Sequence, residues 1–389
     1  MIKSQLSQWK FHSKKVFLRA DLNVPLKNST ILNDFRLQSI VPTLNHLLKN
    51  NNMIILATHI GRPHGYDKNL STELLIPWFK EHHYNIVFAP TIKDILSIPF
   101  QEKLIVLLEN VRFFPGEQDP NPIFAKQLAQ TAHYYVNDAF GSLHNNDCSI
   151  TLLPYEFSEN RRTIGFLVEK ELKTFDALLH NPQKPFIAIL GGKKIKEKIP
   201  LIKNLLRTTD TILLCPALCF SFLAALHKPF GKSLIDESTF ALCKNIIIQA
   251  QDHHVDIMLP HDYQIAENTL DGTLSYTQAS QFPSNAIGIS IGPKTVDLFI
   301  QKINAAQTIF FNCAMGFSER PETRQSTYAL LHAMAQAQGV TIVAGGDTIE
   351  ATFAAGIADN IDHLSSGGGA ALAYLGGNQL PGLIPFEES

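Results

Sequence analysis

Near the end of the chain two apolar runs each close on a glycine turn, and both turns carry residues suited to phosphate. Val340, Ile342, Val343 and Ala344 are followed by Gly345, Gly346, Asp347 and Thr348, and residues 361–364 by Ser365, Ser366, Gly367, Gly368 and Gly369. Each turn leads into helix formers, 349–355 and 370–375, with Asp347 and Thr348 standing where helix caps stand. A helix start offers unpaired N–H groups and the positive end of the helix dipole, and glycine lets an anion reach them. A bare carboxylate would repel a phosphate beside it, so Asp347 is a candidate Mg²⁺ ligand, direct or through water. Either turn alone is also the ordinary joint between strand and helix in a parallel sheet; two in succession point to a nucleotide.

Other apolar runs end in polar groups in the same way. Asp21 and Asn23 follow Lys15–Ala20, and Asp34 and Arg36 precede the helix-like stretch 37–49. His59 and Arg62 follow Met53–Ala57, Arg112 follows 104–108, and Asn137 to His144 follow 134–136. Arginine offers a planar bidentate fork to phosphate or carboxylate, and arginines placed after neighbouring strands would converge on one anion. Further on, Gly191 and Gly192 follow Phe186–Leu190 and precede Lys193, Lys194, Lys196 and Lys198; Lys194 and Lys198 lie four apart and are expected on one helix face, aimed at whatever occupies the glycine turn. A basic solvated helix is the alternative for those lysines. Asn312 and Glu319 follow the run 308–311.

The elements needed to position these groups are strands of parallel sheets, whose carboxyl ends share one edge where open α/β sheets bind ligands. Short β-branched runs alternate with helical stretches through both halves of the chain. Between the halves, residues 163–180 read as one long helix stopped by Asn181 and Pro182, a natural connector. A chain of 389 residues is too long for one ordinary core.

Composition narrows the function classes. With 33 basic and 35 acidic residues the formal charge is −2, which gives no global argument for nucleic acid or an acidic membrane surface. No apolar run approaches the roughly 18 residues of a membrane span, and the N-terminus lacks a signal-peptide core. The five cysteines show no paired zinc spacing, so a reducing, cytoplasmic setting is expected. His82 with His83, and His253 with His254, read as solvated surface pairs. Gly231, Lys232 and Ser233 look like the tail of a Walker A loop, but Leu226 stands where its first glycine is required. The chain also lacks a dinucleotide glycine fingerprint and a protein-kinase catalytic loop.

Taken together, the chain resembles the phosphoglycerate kinase family from end to end. The matching stretches are RADLNVP at 19–25, DFR at 34–36, THIGRP at 58–63, LLENVRF at 107–113, VNDAFG at 136–141, ILGGKKIKEKI at 189–199, IGPKT at 291–295, GGDT at 345–348 and SSGGGA at 365–370. The resemblance implies an α/β protein of two Rossmann-like domains, each a mostly parallel sheet flanked by helices, joined by a connecting helix and hinge. The first, 1–165, would hold 3-phosphoglycerate, with the tail 375–389 packing back on it; the second, 166–374, would hold ATP or ADP with Mg²⁺. It implies substrate contacts from Asp21, Asn23, Arg36, His59, Arg62 and Arg112. Nucleotide contacts would come from Lys198, Asn312, Glu319, Gly345, Gly346, Asp347 and Thr348, with Asp347 as the metal partner. Arg36, Lys194, Gly367, Gly368 and Gly369 would stabilise the phosphoryl group in flight. A monomer without nucleic-acid or membrane partners is expected.

Three departures from the family pattern matter. Asn145 stands where an arginine on the 3-phosphate is expected, with Arg161 and Arg162 as possible substitutes. Cys215, Pro216 and Ala217 replace a triple glycine beside the base, and Phe311, Asn312, Cys313 and Ala314 replace WNGP. These changes keep open a weakly active or non-catalytic nucleotide-binding descendant. A nicotinamide oxidoreductase is disfavoured by the missing glycine fingerprint.

Overall fold

The computed structural model describes residues 5–387. The chain divides into two compact units, one formed by residues up to Lys173 together with those from Gln379 onward, the other by Thr174–Asn378.

The first unit is built on six parallel strands in the spatial order Ile86–Ala89, Ile105–Leu108, Met53–Ala57, Lys15–Ala20, Tyr134–Asp138, Arg162–Ile164. The chain leaves the Lys15 strand toward Met53 on one side and later returns on the other, so the strand order reverses at Lys15–Ala20. The crevice outside that reversal is where such sheets take ligands. The strand at Tyr134 is longer than its apolar run suggests, because Asn137 and Asp138 still pair in register with Arg19 and Ala20. On the helix Phe35–Lys49 the buried residues Leu37, Ile40, Leu44 and Leu47 recur at helical spacing and join the core of Val16, Leu18, Ile54 and Leu56. The tail belongs here too: Gly382 N donates to Leu143 O at 2.9 Å, and the Phe386 ring stacks 6.1 Å from that of Tyr135.

The expected long helix is shorter at its start. Arg162–Ile164 forms the sixth strand, and the helix runs Phe166–His180. The carboxylate of Asp138 accepts from Leu167 N at 2.9 Å and Val168 N at 3.2 Å, capping that helix from the neighbouring strand. The boundary between the units falls inside it, between Lys173 and Thr174.

The second unit repeats the architecture with the order Asp256–Met258, Thr211–Leu214, Phe186–Leu190, Thr308–Asn312, Val340–Ala344, His363–Ser365, again all parallel. Its strands Thr211–Leu214, Phe186–Leu190 and Thr308–Asn312 are buried on both faces and read as largely apolar runs. A three-stranded antiparallel sheet, Leu274–Gln278 beside Asp262–Glu267 beside Ala286–Ile291, has no counterpart among the described residues of the first unit. Among the described residues no helix is long and apolar enough to cross a membrane.

Candidate active site

In the first unit, the carboxyl ends of adjacent strands bring together the polar groups scattered along the sequence. Asp21 is buried and forms an ion pair with Arg36. Asn23 accepts from Gly61 N at 2.9 Å through its side-chain oxygen, which ties the turn after one strand to the turn after the next. Arg112 donates to Gly61 O at 2.9 Å and to Asp147 at 3.0 Å. His59 is buried at the strand end, while Arg62 is exposed. Burial works to raise the Asp21 carboxyl, but Arg36, His59 and Arg19 outweigh it and hold the group below its usual range. The His59 imidazole is pushed well below its usual range, first by burial and then by Arg19, Arg112 and Arg36, with Asp21 opposing. The result is a cluster of cations held by protein carboxylates and carbonyls, ready to exchange those partners for an anion.

Asn145 is half-buried and donates through its main-chain N to Ser142 O at 2.9 Å. Arg162 does not stand in for an arginine there: it donates to Pro154 O and Phe157 O and lies over the Tyr155 ring. Arg161 is exposed.

In the second unit, a cavity of about 290 Å³ lies at the carboxyl ends of its central strands. Its walls bring together Lys194, Lys198, Asn312, Gly345, Gly346, Asp347, Thr348, Gly368 and Gly369. Gly345 has φ of 98°, and a Cβ there would sit 2.6 Å from the Asn312 amide nitrogen, so only glycine allows this approach of turn to strand.

Several local expectations are corrected. Lys194 and Lys198 do not share a helix face, because the helix is Ile195–Leu205 and Lys194 precedes it; both nevertheless line the cavity. The Lys194 side chain is 75% exposed and pairs with Glu197 at 3.3 Å. Lys198 is only 7% exposed, and its ammonium donates to Gly191 O, to Asn312 O and to the Asn312 side chain. Burial lowers its pKa to about 8. Asp347 and Thr348 are not caps; the helix is Gly346–Ala354, capped by Gly345, and both lie in its first turn. The last helix starts at Gly369, and Gly367 N–H donates to the Ser365 hydroxyl at 3.1 Å instead of facing the cavity. Glu319 is exposed on the loop beyond the Thr308 strand and lines no part of this cavity.

A second cavity, of about 330 Å³, shares Gly192, Lys193 and Ala314 with the first. Pro216, Ala217, Leu234, Ile287, Met315 and Phe317 make it mostly apolar. The substituted residues therefore leave a cleft open. The thiols of Cys215 and Cys313 are buried, packed where a Cβ on Gly191 would strike Cys313 Sγ at 2.3 Å.

Asp347 is an exposed carboxylate in the wall of the first cavity, and among the described residues no three His, Cys, Asp or Glu gather as a metal cage. One carboxylate plus substrate phosphates is a donor set that suits Mg²⁺, which keeps much of its water.

Two participants escaped the sequence argument. Arg19 lies within a buried strand, and an arginine inside an apolar run was itself a signal that a buried partner must exist. Glu117, beside the Gly116 turn, carried no such signal and is fully buried.

The phosphoglycerate kinase family model matches residues 6–378. Phosphoglycerate kinase from Chlamydia pneumoniae is 37% identical over 381 residues, covering 95% of this chain and 94% of its own length. That from Clostridium botulinum (strain Alaska E43 / Type E3) is 35% identical over 384 residues, covering 96% of both. Among solved structures, phosphoglycerate kinase from Coxiella burnetii superposes with a TM-score of 0.85 at 29% identity, covering 98% of both chains. The Pyrococcus horikoshii enzyme gives a TM-score of 0.81 at 25% identity with the same coverage.

Proposed function

Because the chain belongs to the phosphoglycerate kinase family and is a glycolytic phosphotransferase, we propose a division of labour among its residues in the reversible transfer between ATP and the carboxylate of 3-phosphoglycerate. The observation that carries the proposal is the cavity in the second unit, where Lys194, Lys198, Asp347 and the glycine turns of three strands face one volume.

The acceptor is a carboxylate, ionised at neutral pH with a pKa of about 4, so the protein needs no general base. Its task is to position the reactants and offset charge. Asp21, Asn23, Arg36, His59, Arg62 and Arg112 hold 3-phosphoglycerate. Binding exchanges the pairs that Arg36 makes with Asp21 and Arg112 with Asp147 for pairs to the substrate. Lys198, Asn312 and the turn from Gly345 to Thr348 hold the nucleotide phosphates, and the apolar second cavity takes the base. Glu319 reaches the ribose. Asp347 is the residue that would hold Mg²⁺, which supplies charge neutralisation on the phosphates when bound. Arg36, Lys194 and the N–H groups at Gly368 and Gly369 stabilise charge on the phosphoryl group during transfer; Gly367 takes part by shaping that turn.

Donor and acceptor must meet, and their binding groups are carried by different units linked through the helix Phe166–His180. A hinge motion about that connector is therefore part of the proposal, with exclusion of water as its purpose, since an acyl phosphate hydrolyses. The enzyme works as a cytoplasmic monomer. A coupled assay with 1,3-bisphosphoglycerate and ADP in the presence of Mg²⁺ tests the assignment: ATP should form, and nucleotide binding without turnover would refute it. Small-angle scattering with both substrates should show a smaller radius of gyration than without them, and no contraction would count against the hinge.

A further inference from the structure

Building on His59 as a substrate-holding residue, we propose that Arg19 is a positioning residue. Backed by Ser149 and Glu117, its guanidinium holds His59 in the Nε2–H tautomer, so that the imidazole meets the substrate anion as a fixed hydrogen-bond donor and not as a cation.

Arg19 has no solvent exposure, although it sits only two residues before Asp21. Its Nε donates to the Ser149 hydroxyl at 2.8 Å, one terminal nitrogen donates to Ala20 O, and the other lies 3.4 Å from His59 Nδ1. A guanidinium has only donors to offer. The nitrogen of His59 that faces it must therefore present a lone pair, and the ring proton resides on Nε2.

The guanidinium is itself held from behind. Ser149 has one hydroxyl proton, which it gives to Glu117 at 2.6 Å, leaving the oxygen's lone pair for Arg19. The Ser149 main-chain N donates to the other Glu117 oxygen at 2.9 Å, and Tyr135 OH donates to Ser149 O at 2.8 Å. Glu117 is fully buried; burial raises its carboxyl, and Arg19, across this one serine, is the foremost group opposing that rise. Rotating the guanidinium away from His59 would break the hydrogen bonds to Ser149 and Ala20 together.

The surroundings of His59 oppose its protonation. The charged groups that act most on it are Arg19 and Asp21 at the end of the Lys15 strand, Arg36 on the first helix and Arg112 after the Ile105 strand; three of these four are cations. Protonation would also aim an Nδ1–H at the guanidinium, donor against donor. As an ordinary surface histidine, His59 would lose a charge, and with it affinity for an anion, as pH rises through about 6.5. As a neutral donor set by Arg19, it keeps one role throughout.

Long-range ¹H–¹⁵N correlation on the substrate-free protein tests this directly. Between about pH 6 and 8 His59 should show an unprotonated Nδ1 and a protonated Nε2, without titrating. An Nδ1–H tautomer or an imidazolium in that range overturns the proposal, and the wild-type spectrum decides this even where a variant fails to fold. Ser149→Ala should release the guanidinium, mix the tautomers and raise KM for 3-phosphoglycerate about fivefold with kcat within about twofold, and Ser149→Thr should restore both. A folded Ser149→Ala protein with the wild-type tautomer and KM also overturns it. Adding 3-phosphoglycerate to the wild type should move the His59 Nε2 signal. If that signal stays still while the tautomer is as stated, the substrate assignment of His59 falls, and the hold of Arg19 on the ring stands.

Discussion

Lys198 and Asn312 are joined twice, the ammonium donating to the main-chain oxygen at 3.0 Å and also to the side-chain oxygen of the same residue. Asn312 passes the connection on, its amide nitrogen donating to Ala344 O at 2.7 Å. With the bond from Lys198 to Gly191 O, one buried ammonium gathers the carboxyl ends of three adjacent strands, at the point where the cavity opens.

This arrangement makes nucleotide affinity depend on pH. Burial has lowered the Lys198 pKa to about 8, so its charged form dominates below that value and is lost above it. Phosphates bind the charged form. Affinity for ADP with Mg²⁺ should therefore fall as pH rises from about 7 to 9, with proton uptake on binding near pH 8. Calorimetry in buffers of different ionisation enthalpy measures both, and Lys198→Met should bind weakly and lose the proton uptake. A dissociation constant that is flat across this range in the wild type would contradict the prediction.

Lys194, exposed and paired among the described residues with Glu197 alone, is free to swing toward a phosphoryl group. Its effect should appear in turnover and little in the ground state. Lys194→Ala should lower kcat by about a hundredfold or more while nucleotide KM changes by no more than a few-fold, the pattern of a group that acts in the transition state. Steady-state kinetics with both substrates varied separate the two parameters; a KM effect alone would return Lys194 to simple binding.

Asn145 stands where the family resemblance leads one to expect an arginine on the 3-phosphate, and Arg162 is committed elsewhere. A charge-assisted hydrogen bond is worth about 1.5 to 3 kcal/mol, so Asn145→Arg should lower KM for 3-phosphoglycerate by roughly ten- to a hundredfold. An unchanged KM would mean that another group already supplies the charge.

Asp138 caps the helix Phe166–His180 from within the sheet, and burial raises its pKa to about 7. A carboxyl raised in the folded state stabilises fully below its unfolded pKa, and the contribution disappears as pH rises through the folded value. Tm should accordingly decline between about pH 4 and 7, and Asp138→Asn, which stays neutral and keeps an oxygen for the two N–H groups, should flatten that part of the curve. Thermal unfolding at a series of pH values reads this. An identical slope in the variant would assign the decline to other groups.

Much of the architecture was legible in the residues alone. Apolar β-branched runs ending in Asp21, His59, Arg112, Asn312 and Gly345 define strands and their carboxyl ends, and parallel pairing puts such ends on one edge whatever the spatial order. What chain-local patterns could not decide was which side chains turn inward. Lys194 and Lys198 look alike at helical spacing, yet one is solvated and the other buried, because only Lys198 finds the oxygens of Gly191 and Asn312 within reach. The Gly367 N–H looked free for an anion until Ser365 folded back onto it. Arg19 and Glu117 are far apart in the chain and meet through Ser149 only after the strand, a loop and the short helix Cys148–Thr151 have packed. Burial and hydrogen-bond partners depend on contacts between distant segments, to which the period of a single sequence is blind; the tertiary structure therefore decided the charge states and orientations on which the chemistry depends.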